Sequence, residues 1–261
     1  MGFACAGSAR HRRGIQVSQS FSTTHKGAQE MRDVFVAREI ALRQGWLSHT
    51  PAAFQSDVLD RCVLQEIESG ARLFAEGVPV GDMYGVVAGQ LAVWIAHGRR
   101  NPRLVHFLRP GSWFESFPPF TSQGLRVSLS ASRDVKVLCL PQQAMQEIAD
   151  LHPEAWRLFA LVSAGYVRIA TLAADDLLIR DHVKRCIAVL LRLGGCRVVT
   201  PPTSTPIDVD LNQQGLATLS NLARTTAGQI LRKLEESGHL EVSYRHIRIL
   251  APDALRAMLA E

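Results

Sequence analysis

The 261 residues are enough for two domains, and 47% hydrophobic against 20% charged residues makes most of the chain globular. A formal net charge of +5 favours a polyanionic partner only weakly. Five cysteines, Cys5, Cys62, Cys139, Cys186 and Cys196, are odd in number and scattered without a C-x-x-C, which argues against a disulfide scaffold or a zinc knuckle and fits reduced, buried thiols in a cytoplasmic protein.

The first 30 residues carry four Lys/Arg and one Glu and lack an apolar core of signal-peptide length. Met1-Gly2 is not followed by Ser or Thr at position 6, as myristoylation requires. Residues 1–30 are expected to be a disordered basic tail. Met31, where structured patterning begins, is a candidate for the true start.

Val34, Phe35, Ile40 and Leu42, then Phe54, Val58 and Leu59, have helical spacing, with a turn at GWLSHTP between them. From 62 to 140 the texture changes to short runs such as VLQEI, MYGVV, QLAVWIA, RLVHFL and VKVLCL. Runs spaced about ten residues apart predict an all-β sandwich or barrel. Glycines at 70, 77, 81, 85, 89 and 111 fall mostly between these runs, where turns need positive φ. Residues 31–150 are expected to form this domain, closed by a short helix carrying Met145, Ile148 and Ala149.

A helix follows over 151–174. Trp156, Phe159, Ala160, Val162, Val167, Ile169 and Leu172 make it apolar on more than one side, so it needs two partners. One side is assigned to the β domain and the other to a second subunit, giving a homodimer; a seam filled within one chain is the alternative. No apolar run reaches the roughly 18 residues of a membrane span, and no membrane partner is expected. The helix DHVKRCIAVLLRLGG ends at a Gly-Gly stop, and VVTPPTSTPIDVD reads as a proline-rich connection.

Residues 175–261 hold the most informative segment, NQQGLATLSNLARTTAGQILRKLEESGHL. Leu216, Ala217 and Leu219 face inward from a first helix. Asn221 sits at the turn, where it tolerates left-handed geometry. Ala227, Ile230, Leu231 and Leu234 give a second helix one apolar side. Arg224, Thr225, Thr226, Gln229, Arg232 and Lys233 are left for the other. Arg pairs bidentately with guanine and Gln with adenine in the major groove, while Thr hydroxyls and a helix start suit phosphates. A plain helical hairpin with a wet face would look similar, but EVSYRHIRIL then alternates around a turn at Tyr244-Arg245, as a small β-wing does.

Taken whole, the chain resembles the cyclic-AMP receptor protein/Fnr family of bacterial transcription regulators. In the front half the likeness rests on LFAEGVPVGDMYGVVAGQLAVWI and PGSWF; in the back half it rests on the helix-turn-helix. The resemblance implies an α+β chain: a cyclic-nucleotide-binding-like β-roll (jelly roll), a long dimerisation helix and a C-terminal winged helix-turn-helix. It implies double-stranded DNA and RNA polymerase as partners, with base contacts at Arg224, Thr225 and Gln229. Two departures stand out. Ala223 replaces the usual Ser cap, which costs about 1 kcal/mol, and Ser220 occupies a site that is usually apolar.

The implied effector pocket is Glu115, Ser116, Arg126 and Val127. Arg126 matches the family's phosphate Arg, but Ser116 falls on its ribose Glu unless the alignment slips to Glu115. Pro118 and Pro119 offer no N–H to a phosphate, and Val127 replaces a hydroxyl. Tight cyclic-AMP binding is therefore not expected, and the effector stays unassigned. One cysteine before Cys62 is too few for an iron–sulfur cluster. His97, His106 and Cys62 leave a haem open, though packed histidines are the blander role. A thiol switch at Cys186 or Cys196 competes with inert burial. Trp113, Phe114, Phe117 and Phe120 either line an apolar pocket or fill the core. The competing class is a cupin-like β-roll enzyme or metal protein, but His97, His106 and Glu115 are too scattered for its ligand set. No catalytic or metal-binding residue is assigned.

Overall fold

The computed structural model describes residues 18–73, 81–97, 101–115, 125–131, 133–200 and 206–260, with side chains given for all of these but 18–28, 73, 97, 125 and 126. Helix α1 (Ser18–Arg43) leads through a 3₁₀ turn (Leu47–His49) to α2 (Ala52–Arg61). The strands β1 (Val63–Ile67), β2 (Arg72–Leu73), β3 (Met83–Ala88), β4 (Leu91–His97), β5 (Arg103–Leu108), β6 (Trp113–Glu115), β7 (Leu125–Ala131) and β8 (Val135–Leu140) follow. They form two four-stranded antiparallel sheets, β1-β8-β3-β6 and β2-β7-β4-β5. Between the sheets lie Tyr84, Val86, Leu91, Leu108, Phe114, Leu129 and Val137, the interior of the expected roll.

Met83, Val87, Trp113, Leu138 and Leu140 turn the other way, against Phe54, Leu158 and Phe159 of the helices. Residues 83–87 are consequently buried on both faces, which is why MYGVV reads as an unbroken apolar run rather than an alternation. Two glycines fix the neighbouring turn. A Cβ on Gly45 (φ +84) would stand 1.8 Å from the Gly111 carbonyl oxygen, so backbone meets backbone there.

One expectation about the N-terminus is corrected. α1 already begins at Ser18, so the 18–30 part of the expected disordered tail is helical. Ala37 and Ala41 anchor the helix on the roll, and extending an anchored helix costs far less than nucleating one. Residues 1–17 lie outside the described ones.

Helix α3 (Gln142–Leu151) closes the roll, and α4 (Ala155–Leu178) follows Pro153, later at both ends than the expected 151–174. Ala155, Leu158, Phe159 and Val162 are buried against the roll, and Tyr166 Oη donates to the Trp113 carbonyl at 2.9 Å. Ala160, Ala164, Val167, Thr171, Ala174 and Leu178 are all exposed, at spacings of 4, 3, 4, 3 and 4. That is the a/d spacing of a coiled-coil seam. The membrane expectation also needs amending. An 18-residue window of α4 has mean hydropathy 1.4 and is, by length and composition, apolar enough to cross a bilayer. Arg157, Arg168, Asp175 and Asp176 nevertheless interrupt any unbroken apolar run along α4.

The reader consists of α5 (His182–Leu193), β9 (Ile207–Val209), α6 (Gln213–Leu219), α7 (Arg224–Glu236), β10 (Leu240–Ser243), β11 (His246–Ile249) and α8 (Pro252–Ala260). Its sheet runs β10-β11-β9. The connection expected at 198–210 thus ends in a strand: Ile207 and Val209 point inward on either side of Asp208, pairing with Ile249 and Ile247. The reader core is continuous with the roll's outer face, since Ala92 and Phe107 belong to it and Trp94 and Leu104 pack against it. Gln90 Nε2 donates to the Asp210 carbonyl at 3.0 Å, and Arg192 Nη1 donates to the Val105 carbonyl at 3.3 Å across the same junction.

Candidate nucleic-acid interface

Helix α6 begins where its sequence says it should. The Asn212 side chain accepts from the Gly215 N–H at 2.7 Å, an N-cap. The turn that follows places Asn221 at φ 50, the left-handed conformation expected for it. Leu216, Ala217 and Leu219 are buried and receive α7 through Ala227, Ile230, Leu231 and Leu234, all buried. These contacts fix which side of α7 faces out.

That side carries the expected residues. Arg224, Thr225, Gln229, Arg232 and Lys233 are exposed and Thr226 is half-exposed. Ala223 forms no side-chain bond to α7, so the first-turn N–H groups lack the usual cap. Uncapped N–H groups at a helix start cost stability and are donors of the kind a phosphate takes. Ser220 is fully buried, and among the described residues its Oγ finds no partner beyond the adjacent Cys186 thiol. Its carbonyl accepts from Arg185 Nε at 2.7 Å, so the backbone of the turn is held from α5.

The cations of this face differ from several elsewhere. Arg38, Arg43, Arg61, Arg133, Arg192, Arg197, Arg248 and Arg256 each have a carboxylate within ion-pair distance. Among the described residues Arg224, Arg232 and Lys233 have none. The nearby Glu235 is occupied: its Oε1 accepts from the Val242 N–H at 2.8 Å and ties the end of α7 to the wing. The wing turns at Tyr244-Arg245 as expected, with Arg245 at φ 57 and its guanidinium 5.9 Å from the ring centre of Tyr244, which is 88% exposed. A positively charged helix beside a projecting hairpin is a shape that fits a groove and its flanking phosphates.

The wing is braced from behind by groups that periodicity did not single out. His246 bonds Asp210 through Nδ1 at 2.9 Å and Asp208 through Nε2 at 3.0 Å. Arg248 Nε donates to Asp208 at 2.8 Å, and Arg248 and His246 hold the Asp208 carboxyl below the usual carboxylate range. The sequence signal for this brace is the pair Asp208 and Asp210, set two apart.

Of the expected effector residues, the side chains of Glu115 and Val127 are described, and they lie in different sheets. Glu115 ends β6 in one sheet, half-buried, and burial raises its carboxyl above the usual range. Val127 lies on β7 in the other sheet, opposite Ile95, and is 50% exposed. Ser116 and the Arg126 side chain lie outside what is described, as do Phe117, Pro118, Pro119 and Phe120. Trp113 and Phe114 are buried in the core, on opposite faces of their sheet.

Roll, long helix and winged reader together define a sensor-linked DNA-binding regulator. Comparison with known proteins agrees. Residues 64–152 match the cyclic nucleotide-binding domain family and residues 184–258 the Crp-like helix-turn-helix domain family. The chain belongs to the Crp/Fnr family of transcription regulators. No curated protein matches it in sequence. FixK2 from Bradyrhizobium japonicum shares its fold at TM-score 0.58 and 18% identity, over 75% of this chain and 96% of that one. A putative cyclic nucleotide binding protein from Ruegeria pomeroyi gives 0.59 at 16% identity, over 87% and 98%. The c-di-GMP-responsive global regulator CLP of Xanthomonas campestris gives 0.52 at 18% identity, over 77% and 99%.

Proposed function

We propose that the protein regulates transcription as a cytoplasmic homodimer that places one α7 in each of two successive major-groove faces. The observation that carries this is the α7 surface, where Arg224, Thr225, Gln229, Arg232 and Lys233 are exposed together opposite the packed side, and where, among the described residues, the cations have no carboxylate within ion-pair distance. In this proposal Arg224, Thr225 and Gln229 read base edges, and Thr226, Arg232 and Lys233 hold phosphates. The exposed 4-3-4-3-4 seam on α4 supports pairing of two copies, which sets the half-sites about 34 Å apart. Contact with RNA polymerase belongs to the same proposal.

Cyclic AMP is not the proposed effector, because Pro118 and Pro119 remove N–H groups from the place where a phosphate would need them. Calorimetric titration with cyclic AMP and cyclic GMP is expected to give no isotherm at micromolar concentration. An enzymatic or metal-binding role is not proposed. Among the described residues no three His, Cys, Asp or Glu side chains lie together as a metal site, and His106 is engaged with Arg192.

Selection of bound duplexes from random DNA tests the proposal. The expected product is a two-fold symmetric sequence with half-sites one helical turn apart. An asymmetric product, or no enrichment, would count against paired α7 helices.

A further inference from the structure

A cleft of about 840 Å³ opens where the roll, α4 and the reader meet. It is bounded by α4, the β5–β6 turn, the turn after α1 and the segment after α5. It lies outside the roll, whose described interior is filled by side chains such as Leu91, Leu108 and Leu129. Its size falls in the range of small-molecule sites, roughly 300–1,000 Å³.

The walls offer carbon. Trp46 and Tyr166 both line the cleft, and both have already used their polar tips. Trp46 Nε1 donates to the Leu158 carbonyl at 2.7 Å, and Tyr166 Oη donates to the Trp113 carbonyl at 2.9 Å. The charge is of one sign once internal pairs are removed. Arg192 and Arg197 are neutralised by Asp176 and Asp175, and Asp208 is taken by Arg248 and His246. Two lining guanidiniums are left. Arg168 has no hydrogen bond or ion pair among the described residues. Arg109, half-buried, donates to the Gly194 carbonyl and has no carboxylate within ion-pair distance among those residues, though Asp208 and Asp210 act on it from further away. Arg168 is exposed, whereas burial of Arg109 disfavours its charge, and a bound anion would offset that cost.

We propose that this cleft binds an organic anion with a flat apolar body, of the aromatic carboxylate class, its charge held by Arg109 and Arg168 and its ring by Trp46 and Tyr166. The ligand then touches the roll, α4 and the reader at once. This deepens the regulator proposal by giving its missing effector a site and a chemistry. The test needs no DNA, so its failure is distinguishable from failure of DNA recognition.

Calorimetric titration of the full chain with 2-naphthoate is the experiment. One saturable site per chain is expected, with the neutral isostere 2-naphthamide at least about tenfold weaker. Arg168→Gln, at a position with no structural bond to lose, is expected to weaken naphthoate by about tenfold and leave naphthamide unchanged. Arg157→Gln, exposed on the same helix but outside the cleft, is expected to change neither. Absence of saturable binding, equal affinity for acid and amide, or indifference to Arg168→Gln would each overturn the proposal.

Discussion

Arginines in this chain do two different jobs. Paired ones, such as Arg192 on Asp176 at 2.7 Å, hold elements together; those on α7, without a carboxylate among the described residues, are proposed to meet DNA. Substitutions on α7 should therefore split by role. Gln229→Ala is expected to relax preference at one base pair, costing about 1–3 kcal/mol on the preferred site. Lys233→Ala is expected to weaken all duplexes alike and to reduce the salt slope by about one. Binding isotherms on matched and scrambled duplexes separate the two; identical behaviour of both variants would mean that Gln229 reads no base. His106 gives a prediction on pH. Burial, helped by Arg192 and Arg109, pushes its pKa down to about 3, so the folded ring is neutral and its Nδ1 accepts from Arg192. An unfolded histidine titrates near 6.5, so below that pH the unfolded chain binds a proton that the folded one refuses. Stability from this residue is full above about pH 6.5 and drains away as pH falls toward 3, by at most about 2 kcal/mol between pH 7 and 5. Urea unfolding at both pH values should show a smaller loss for His106→Gln than for the parent. The thiols of Cys186 and Cys196, fully buried and pushed up to about 12 and 11, are expected to resist a thiol reagent at pH 8 until the chain unfolds.

At the scale of elements, the uncapped start of α7 and the seam on α4 are the two features most open to change. Ala223→Ser supplies the missing cap and is expected to raise stability by about 1 kcal/mol, read as a higher denaturant midpoint at unchanged m-value. Ala164→Glu puts a charge in the middle of the seam and is expected to shift the chain to monomers in sedimentation velocity, at a cost of several kcal/mol to the dimer. Asp176 at the end of α4 and Arg192 on α5, both buried, join the long helix to the reader, and Arg192→Ala would leave the Asp176 carboxylate with Arg197 alone, at a cost of up to about 3–5 kcal/mol. How much of this could be read beforehand depended on periodicity. α6, α7 and the wing turn were legible because each has one apolar side, and because Asn221 and the Tyr244-Arg245 turn mark the reversals. The strands of the roll were legible as runs. β9 was not: three residues after a proline-rich stretch are too short to show a period, and the strand exists because β11 offers it an edge. The N-terminal part of α1 carries no apolar stripe of its own, and the α4 boundary was misplaced because Asp175 and Asp176 look like a polar end when they are in fact helical, with Asp176 buried. For the effector residues the resemblance was the only signal, since a pocket made by two sheets has no local signature in either strand.

For the molecule as a whole, the reader does not hang free of the sensor. Its core runs on into Ala92 and Phe107 of the roll, Gln90 bonds the Asp210 backbone, and Arg133 pairs with Asp210 at 3.3 Å. Movement of the roll relative to α4 thus has a route to the reader other than the long helix, through contacts on the β4–β5 sheet. Arg133→Ala is expected to leave the fold intact and cost the exposed pair no more than about 1 kcal/mol. Trp94→Ala, which removes an aromatic from the junction, should instead make reader and roll unfold at separate temperatures in calorimetry. The most direct measurement is the sedimentation of full-length protein with a short selected duplex at low salt. Two chains on one duplex, with protection of two half-sites about one helical turn apart, is the expected result. A single chain per duplex, or no complex with any duplex, would contradict it.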